Sequence, residues 1–277
     1  MHEKLIFLDI DGTLVASMAR PSLLAKKAVE EARARGHKVF LCTGRNMPII
    51  GEDILELGFD GIISSAGAHV EVGEEVLVDS LLPEDTVQEC LEVFHSNGIF
   101  CRIEDRQGIY TDPQMEGLLK NAEADPSNSE LIRMQKEIEA GIPILSYDQY
   151  PGRGAYKLCF TSTSLEAVER AKPSLEDRFA FVVHPYGDST ACYNGEIIRR
   201  GVDKGRAMEL VCHHFGRELS DAVAFGDSMN DSEMIRCAGM GVAMGNACPE
   251  LKEMADLVCK RVEEDGLYYA FEDLGLL

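Results

Sequence analysis

Positive charge is scarce in this sequence. Its 277 residues hold 27 Lys+Arg against 48 Asp+Glu, a net charge of −21 at pH 7. A field of that sign repels the phosphate backbone and anionic lipid, which argues against nucleic-acid and membrane partners. It does not exclude one small phosphorylated ligand held through a metal ion. Long apolar runs are missing too. No stretch approaches the roughly 20 residues of a membrane span, and the early run Leu5-Ile6-Phe7-Leu8 is too short for a signal peptide. Closely spaced cysteine pairs are also absent. The nine cysteines, at 42, 90, 101, 159, 192, 212, 237, 248 and 259, are odd in number, and none forms C-x-x-C. That spacing disfavours a disulfide framework or a zinc knuckle and predicts buried thiols in a reducing, cytoplasmic setting. Internal repeats and low-complexity tracts are lacking.

What is present is ordinary for a globular protein: 45% apolar and 27% charged residues. At about 150 residues per domain, the length fits one large or two modest domains. Leu5–Ile10 is a continuous apolar run that closes on carboxylates, which predicts a buried parallel strand. Ser22–Arg35 has helical spacing and ends at Gly36. Val39–Cys42 is a second buried strand closing on Thr43-Gly44-Arg45. A helix at about Pro48–Leu57 then leads to a third strand, Gly61–Ser64. The alternation resumes late, with a helix over Lys204–Phe215, strands at Ala222–Phe225, Gly241–Met244 and Leu257–Val258, and helices at Ser232–Ala238 and Pro249–Ala255. This predicts an α/β fold with a doubly wound parallel sheet.

The texture changes in between. Helices at Pro83–Asn97 and Leu165–Asp177, strands at Ile99–Ile103, Gly108–Tyr110, Ala155–Thr161 and Phe179–His184, and the polar loop Asn121–Ser129 describe an inserted α+β module. The expected division is a discontinuous core, 1–82 plus 188–277, around an insert of 83–187.

In doubly wound sheets, ligands bind beyond the C-terminal strand ends. Those ends carry Asp9-Ile10-Asp11-Gly12-Thr13, Thr43-Gly44-Arg45 and Gly226-Asp227-Ser228-Met229-Asn230-Asp231, and Lys204 opens the helix before the last of them. Carboxylates held close together repel one another, so Mg²⁺ is the natural counter-charge. A phosphoryl group would find donors in Thr43, the amide of Gly44, Asn230 and Lys204. A carboxylate is also a competent nucleophile toward phosphorus, and a second can serve as acid and base. Asp9 and Asp11 share a side if the chain is extended there. Taken singly, each motif has a plainer reading: a solvated turn for D-x-D, a surface lysine for Lys204, helix caps for Asp227 and Asp231.

Together, these residues resemble the haloacid dehalogenase superfamily of phosphohydrolases. Asp9-Ile10-Asp11-Gly12-Thr13-Leu14 matches the first motif, Thr43-Gly44-Arg45 the second, Lys204-Gly205 the third and Gly226-Asp227-Ser228-Met229-Asn230-Asp231 the fourth. The tail Gly241–Ala247 and Glu264-Asp265-Gly266 resemble the Cof-type subfamily (IIB), which has a large cap inserted after the second motif. The resemblance implies a Rossmann-like core with Asp9 as nucleophile and Asp11 as general acid/base. Asp9, Asp11 (through its carbonyl) and Asp227 are the implied Mg²⁺ ligands. Thr43, Gly44, Lys204 and Asn230 would hold the substrate phosphate, and Asp231 would support them from behind. The implied reaction is Mg²⁺-dependent hydrolysis of a small phosphorylated metabolite, a sugar phosphate or phosphorylated cofactor, through an aspartyl-phosphate.

The chain departs from that pattern at Ala66, where many relatives carry Asn. His69, just beyond, is a candidate for either a substrate-facing or a local structural role. The insert offers Arg102, Glu104, Arg153, Lys157 and His184 as polar candidates, each expected to be a solvated surface residue. Arg45 is a further candidate on the ligand side, outside the core set. Two competing functions are a phosphomutase of the phosphomannomutase type, which needs a strongly basic cap, and a non-catalytic or receiver-like phospho-ligand module. Few candidate cations in the insert argue against the first. Retention of Asp9, Asp11, Thr43, Lys204 and Asp227 argues against the second.

Overall fold

The computed structural model describes residues 3–16, 20–121, 129–139, 141–185 and 192–277. The chain divides into two compact units. One comprises Met1–Arg45, Ile50–Asp79 and Val202–Leu277; the other comprises Asn46–Ile49 and Ser80–Gly201.

The first unit begins with β1 (Leu5–Leu8), α1 (Leu23–Ala34), β2 (Lys38–Cys42), the short α2 (Glu52–Leu55) and β3 (Gly61–Ser64). All four residues of β1 are buried, as a strand covered on both faces requires. Helix α1 starts where Ser22 Oγ accepts the Ala25 amide, a side-chain N-cap. Its buried stripe is Ala25, Ala28, Val29 and Ala32. The helix expected over 48–57 is interrupted. A 3₁₀ turn at Met47–Ile49 and the four-residue α2 take its place, because Gly51 stands between them in an extended conformation. The strands β4 (His69–Val72) and β5 (Glu75–Asp79) follow and were not legible as strands in the sequence.

The second unit runs α3 (Glu84–Ser96), β6 (Phe100–Glu104), β7 (Ile109–Thr111), α4 (Pro113–Asn121), α5 (Ser129–Glu139), β8 (Ile144–Ser146), β9 (Lys157–Ser162), α6 (Leu165–Ala171), β10 (Phe179–Pro185) and β11 (Tyr193–Arg199). Its six-stranded sheet has the order β10-β11-β9-β6-β7-β8. Strand β11 is hydrogen-bonded between β10 and β9, so this unit extends to Gly201, beyond the boundary expected at 187. Most of the polar loop expected at Asn121–Ser129 lies outside the described residues. One face of the sheet packs on a core including Val87, Leu91, Phe94, Ile103, Phe160 and Val168. The other carries a smaller cluster with Met115, Leu119, Leu131 and Met134 of α4 and α5.

The first unit resumes with α7 (Lys204–His214), β12 (Ala222–Gly226), α8 (Ser232–Cys237), β13 (Met240–Ala243), α9 (Pro249–Met254), β14 (Leu257–Val258) and α10 (Gly266–Asp273). Its eight strands lie in the order β14-β13-β12-β1-β2-β3-β4-β5. The pairs from β14 to β3 are parallel, while β4 and β5 add an antiparallel edge. Strands β1, β2 and β12 are therefore adjacent, and their C-terminal ends deliver the first, second and fourth motifs to one place. Among the described residues, no helix is long and apolar enough to cross a membrane.

Candidate active site

Asp9 follows the last residue of β1, and its amide donates to Phe225 O of β12 at 3.1 Å. The side chain is buried, with 5% of the residue exposed. Lys204, the first residue of α7, reaches it: Nζ donates to Asp9 Oδ1 at 2.7 Å and to Asp231 Oδ1 at 2.6 Å. Asn230 Oδ1 lies 3.4 Å from the same nitrogen. Lys204 is 1% exposed, so the surface-lysine reading is overturned. An ammonium so placed is stable only because two carboxylates surround it. Burial works against its charged form, but Asp231 and Asp9 more than offset this and raise its pKa.

Asp9 responds in the opposite sense to an ordinary ion-paired carboxylate. Burial pushes its pKa up to about 7; Lys204 opposes this, while Asp231 and Asp11 reinforce it. Burial is also the main cause that raises Asp227 well above the usual carboxylate range, with Asp9 adding to it. The carboxylates of Asp9, Asp227 and Asp231 offer oxygens that all lie within 4.8 Å of one another.

Asp231 is fully committed to its neighbours. Besides Lys204 on Oδ1, its Oδ2 accepts the amides of Asp227 at 3.0 Å and Ser228 at 3.1 Å. The expected capping role is thus real, and Asp231 also fixes Lys204. Asp227 differs, because its Oδ1 is buried and has no hydrogen-bond partner. A buried carboxylate oxygen without a donor is costly; three converging carboxylates and that orphan oxygen suit a hard divalent cation. Gly12 makes room for the group. At φ +82°, a Cβ there would stand 2.1 Å from Asp227 Oδ2, so the first motif approaches the fourth backbone to side chain. Asn246 secures the same junction: Nδ2 donates to Gly12 O at 2.8 Å, and Oδ1 accepts the Val262 amide at 2.9 Å.

Asp11 takes a different partner. It lies beyond β1, so the extended-chain alternation expected for Asp9 and Asp11 does not apply there. Arg45 donates Nε to Asp11 Oδ2 and Nη2 to Oδ1, both at 2.7 Å. This is a two-pronged guanidinium–carboxylate contact. Thr43 is buried at the end of β2, and its Oγ1 accepts the Arg45 amide at 3.1 Å. Gly44 faces the fourth motif, since a Cβ there would lie 3.7 Å from Asn230 Nδ2. The turn is held from behind. Ala66 N donates to Thr43 O at 3.0 Å, and Ser65 N donates to Arg45 O at 2.8 Å. Ser65, Ala66 and Gly67 are consecutive left-handed residues, with φ of 50°, 56° and 101°. Asn tolerates that conformation better than Ala, which gives the departure at Ala66 a conformational meaning. His69 turns to a local contact, with Nδ1 3.3 Å from Ser64 Oγ.

The structure therefore brings Asp9, Asp227, Asn230, Asp231 and Lys204 into one cluster and sets Gly44 against Asn230. Asp11 is near enough to raise the Asp9 pKa but is gripped by Arg45. Two residues outside the expected set matter here: Arg45 and Asn246. Arg45 was marked only as the last residue of the second motif, and Asn246 only by lying in the tail that resembles the subfamily.

The candidates in the second unit correct their expectation. Arg102, Glu104 and Lys157 are buried, not solvated. Arg102 donates to Glu104 at 2.9 Å and to Glu137 at 2.7 Å, and Lys157 pairs with Glu196 at 2.8 Å. Helix α5 supplies Arg133 and Glu137, which pair with each other and cover that face of the sheet. Arg153 is exposed and donates to Gln107 at 3.0 Å. The His184 side chain lies outside the described residues.

A parallel α/β sheet with carboxylates and a buried lysine at its C-terminal strand ends defines a Rossmann-like hydrolase. The chain belongs to the haloacid dehalogenase-like hydrolase family, whose model matches residues 6–271. It is an enzyme, a phosphatase of that family. YkrA of Bacillus subtilis (strain 168) is 30% identical over 280 residues, with all of both chains covered. The HMP-PP phosphatase of Yersinia pseudotuberculosis serotype O:1b (strain IP 31758) is 28% identical over 272 residues, covering 95% of this chain and 92% of that one. Among solved structures, the subclass IIB sugar phosphatase BT4131 superposes with a TM-score of 0.77 at 28% identity, covering 99% of this chain and all of the other.

Proposed function

We propose that the protein hydrolyses the phosphate monoester of a small metabolite in two in-line steps at Asp9, with Mg²⁺ bound at the carboxylate cluster. The observation that carries this reading is the pairing of a buried Lys204–Asp9 contact with the partnerless Asp227 Oδ1 beside it. The names of the relatives, an HMP-PP phosphatase and a sugar phosphatase, support a small phosphorylated substrate.

Asp9, Asp227 and the main-chain carbonyl of Asp11 would hold the cation, with Asp231 behind them. When bound, Mg²⁺ supplies positive charge to the phosphoryl oxygens and lowers repulsion among the carboxylates. In the first step, the Asp9 carboxylate attacks phosphorus. Oδ1 is engaged by Lys204, and Oδ2 accepts no hydrogen bond among the described residues, which favours Oδ2 as the attacking atom. A phosphorus–oxygen bond forms to Asp9 as the bond to the leaving alkoxide breaks, and Asp11 gives the alkoxide its proton. In the second step, Asp11 takes a proton from water, the oxygen of that water attacks phosphorus, and the bond to Asp9 breaks to release phosphate. Lys204, Thr43, the Gly44 amide and Asn230 would hold the phosphoryl oxygens throughout. Asp11 must leave the Arg45 fork to donate its proton, so the contact described here is a resting arrangement.

A phosphomutase is less well supported. It must retain a phosphorylated intermediate and shield it from water, which calls for unspent cations in the inserted unit. Arg102, Arg133 and Lys157 are all ion-paired there. The test is turnover of an aryl phosphate with and without Mg²⁺ by the wild type and Asp9→Asn. Hydrolysis that needs Mg²⁺ and Asp9 is expected; undiminished turnover by Asp9→Asn contradicts the proposal.

A further inference from the structure

In the second unit, three donors of unlike chemistry converge away from the Asp9 cluster. His95 stands in the last turn of α3, Cys101 on β6, and Asp112 just after β7. An imidazole nitrogen, a thiol sulfur and a carboxylate oxygen from these residues all lie within 4.8 Å of one another. We propose that His95, Cys101 and Asp112 form a binding site for a thiophilic divalent cation of the zinc class.

The donor set matches that class. Zinc takes imidazole nitrogen, thiolate sulfur and carboxylate oxygen together, at about 2.0–2.3 Å, while magnesium and calcium have little use for sulfur. A tetrahedron with such bonds places its donors roughly 3.3–3.7 Å apart. His95 Nε2 and Asp112 Oδ2 are 2.8 Å apart and all three donors lie within 4.8 Å of one another, a range that brackets that value.

The ligands are also oriented from behind, as metal ligands usually are. Cys101 N donates to Asp112 Oδ2 at 2.6 Å, and Asp112 N donates to Cys101 O at 3.0 Å. The His95 ring stands edge-on to Tyr147, with centroids 5.8 Å apart and planes at 85°. Two ligands are thereby fixed to each other through the backbone, and the third is braced by an aromatic face.

Access and charge agree. The His95 side chain is 39% exposed and that of Asp112 is 11% exposed, while Cys101 is 1% exposed. The cation would enter from the His95 side, and water would complete the fourth position there. One thiolate, one carboxylate and one neutral imidazole around a dication sum to zero. This neutrality suits a half-buried position. Binding displaces the thiol proton to solvent; nothing is oxidised or reduced. The set is dispersed over 18 positions and lacks C-x-x-C spacing, which is why the cysteine pattern argued against a zinc knuckle.

The experiment uses the protein stripped with a chelator and returned to excess Mg²⁺, which under the proposed function fills the Asp9 cluster. Zn²⁺ is titrated against a chromophoric chelator, and Co²⁺ is added separately to look for a thiolate-to-cobalt charge-transfer band. One equivalent of Zn²⁺ and a clear band are expected. Cys101→Ser should abolish the band and weaken Zn²⁺ binding at least about tenfold. His95→Gln, at a position exposed enough to spare the fold, should weaken it comparably, and Asp9→Asn should leave it unchanged. The proposal is overturned if the wild type binds no equivalent, or if His95→Gln and Cys101→Ser bind as the wild type does. Either result leaves His95 and Asp112 as a hydrogen-bonded pair only.

Discussion

Arg45 and Asp11 meet through two parallel hydrogen bonds, Nε to Oδ2 and Nη2 to Oδ1, each 2.7 Å long. The guanidinium side chain is 4% exposed and the carboxylate 14%, so the pair lies largely out of water. Replacing Arg45 with Met leaves the Asp11 carboxylate without its fork. We expect a loss of about 3 kcal/mol in stability and at least a tenfold fall in kcat. Arg45→Lys keeps the charge but not the planar fork and should fall between. Denaturant unfolding and steady-state kinetics check both; an Arg45→Met enzyme as stable as the wild type contradicts the structural weight given to the pair.

Gly12 is constrained twice, by φ +82° and by the 2.1 Å that would separate its Cβ from Asp227 Oδ2. Gly12→Ala should cost about 1–2 kcal/mol from the left-handed backbone alone. It should also push Asp227 out of place. The Mg²⁺ concentration giving half-maximal turnover is then expected to rise about tenfold or more. An unchanged Mg²⁺ requirement would show that the cation does not depend on this junction.

Stability of the metal-free protein should fall as pH rises. Burial raises Asp9 from 3.8 to about 7 in the folded chain, and Asp227 shifts in the same direction. Between those values the unfolded chain has released its proton and the folded chain has not. The unfolded state binds fewer protons, so unfolding becomes easier with rising pH. Melting temperatures measured in chelator should drop from about pH 5 to about pH 7.5, and saturating Mg²⁺ should reduce that drop by favouring the ionised carboxylates. A metal-free melting temperature that climbs over this interval contradicts the assignment.

The second unit carries its own polar core. Glu137 is buried between Arg102 and Arg133, so Glu137→Gln leaves two guanidinium groups short of a counter-charge. The expected loss is roughly 3–5 kcal/mol. Breaking the exposed pair Arg178–Glu89, 2.7 Å apart at the surface, should cost under about 1 kcal/mol. Comparable losses from the two changes, in parallel chemical denaturation, would mean that the buried network contributes little.

The catalytic unit was largely legible in advance. Its strands are short apolar runs that end abruptly in Asp, Thr-Gly or Gly-Asp, and that shortness with those flanking residues marks them as strands buried on both faces of a parallel sheet. The helix that positions Lys204 was legible from its helical spacing, and in the structure Asp203 caps it by accepting the Arg206 amide. The inserted unit was harder to read. Strand β11, Tyr-Asn-Gly-Glu-Ile-Ile-Arg, mixes polar and apolar residues because its two faces meet different surroundings, one of them ionic. One of its two partners, β9, is separated from it in sequence by α6 and β10. Burial of Arg102, Glu104 and Lys157 was invisible for the same reason. A charge on a strand reads as solvent-facing until a partner such as α5, distant in sequence, is known to cover it. Arg45 and Asn246 act through pairings with Asp11 and Gly12 over 34 and 234 positions, which no local pattern reports.

Asp9 is expected to carry the phosphoryl group during turnover, and Asp11→Asn isolates that step. With an aryl phosphate, the leaving group departs without a proton, so the first step proceeds, while the second lacks the base that activates water. Acid quenching during turnover, followed by mass spectrometry of the peptide containing residue 9, reads the outcome directly. One phosphoryl group on Asp9 is expected, accumulating in Asp11→Asn and absent from Asp9→Asn. An unmodified Asp9 in an enzyme that still turns over, or a phosphoryl group on another residue, would contradict it.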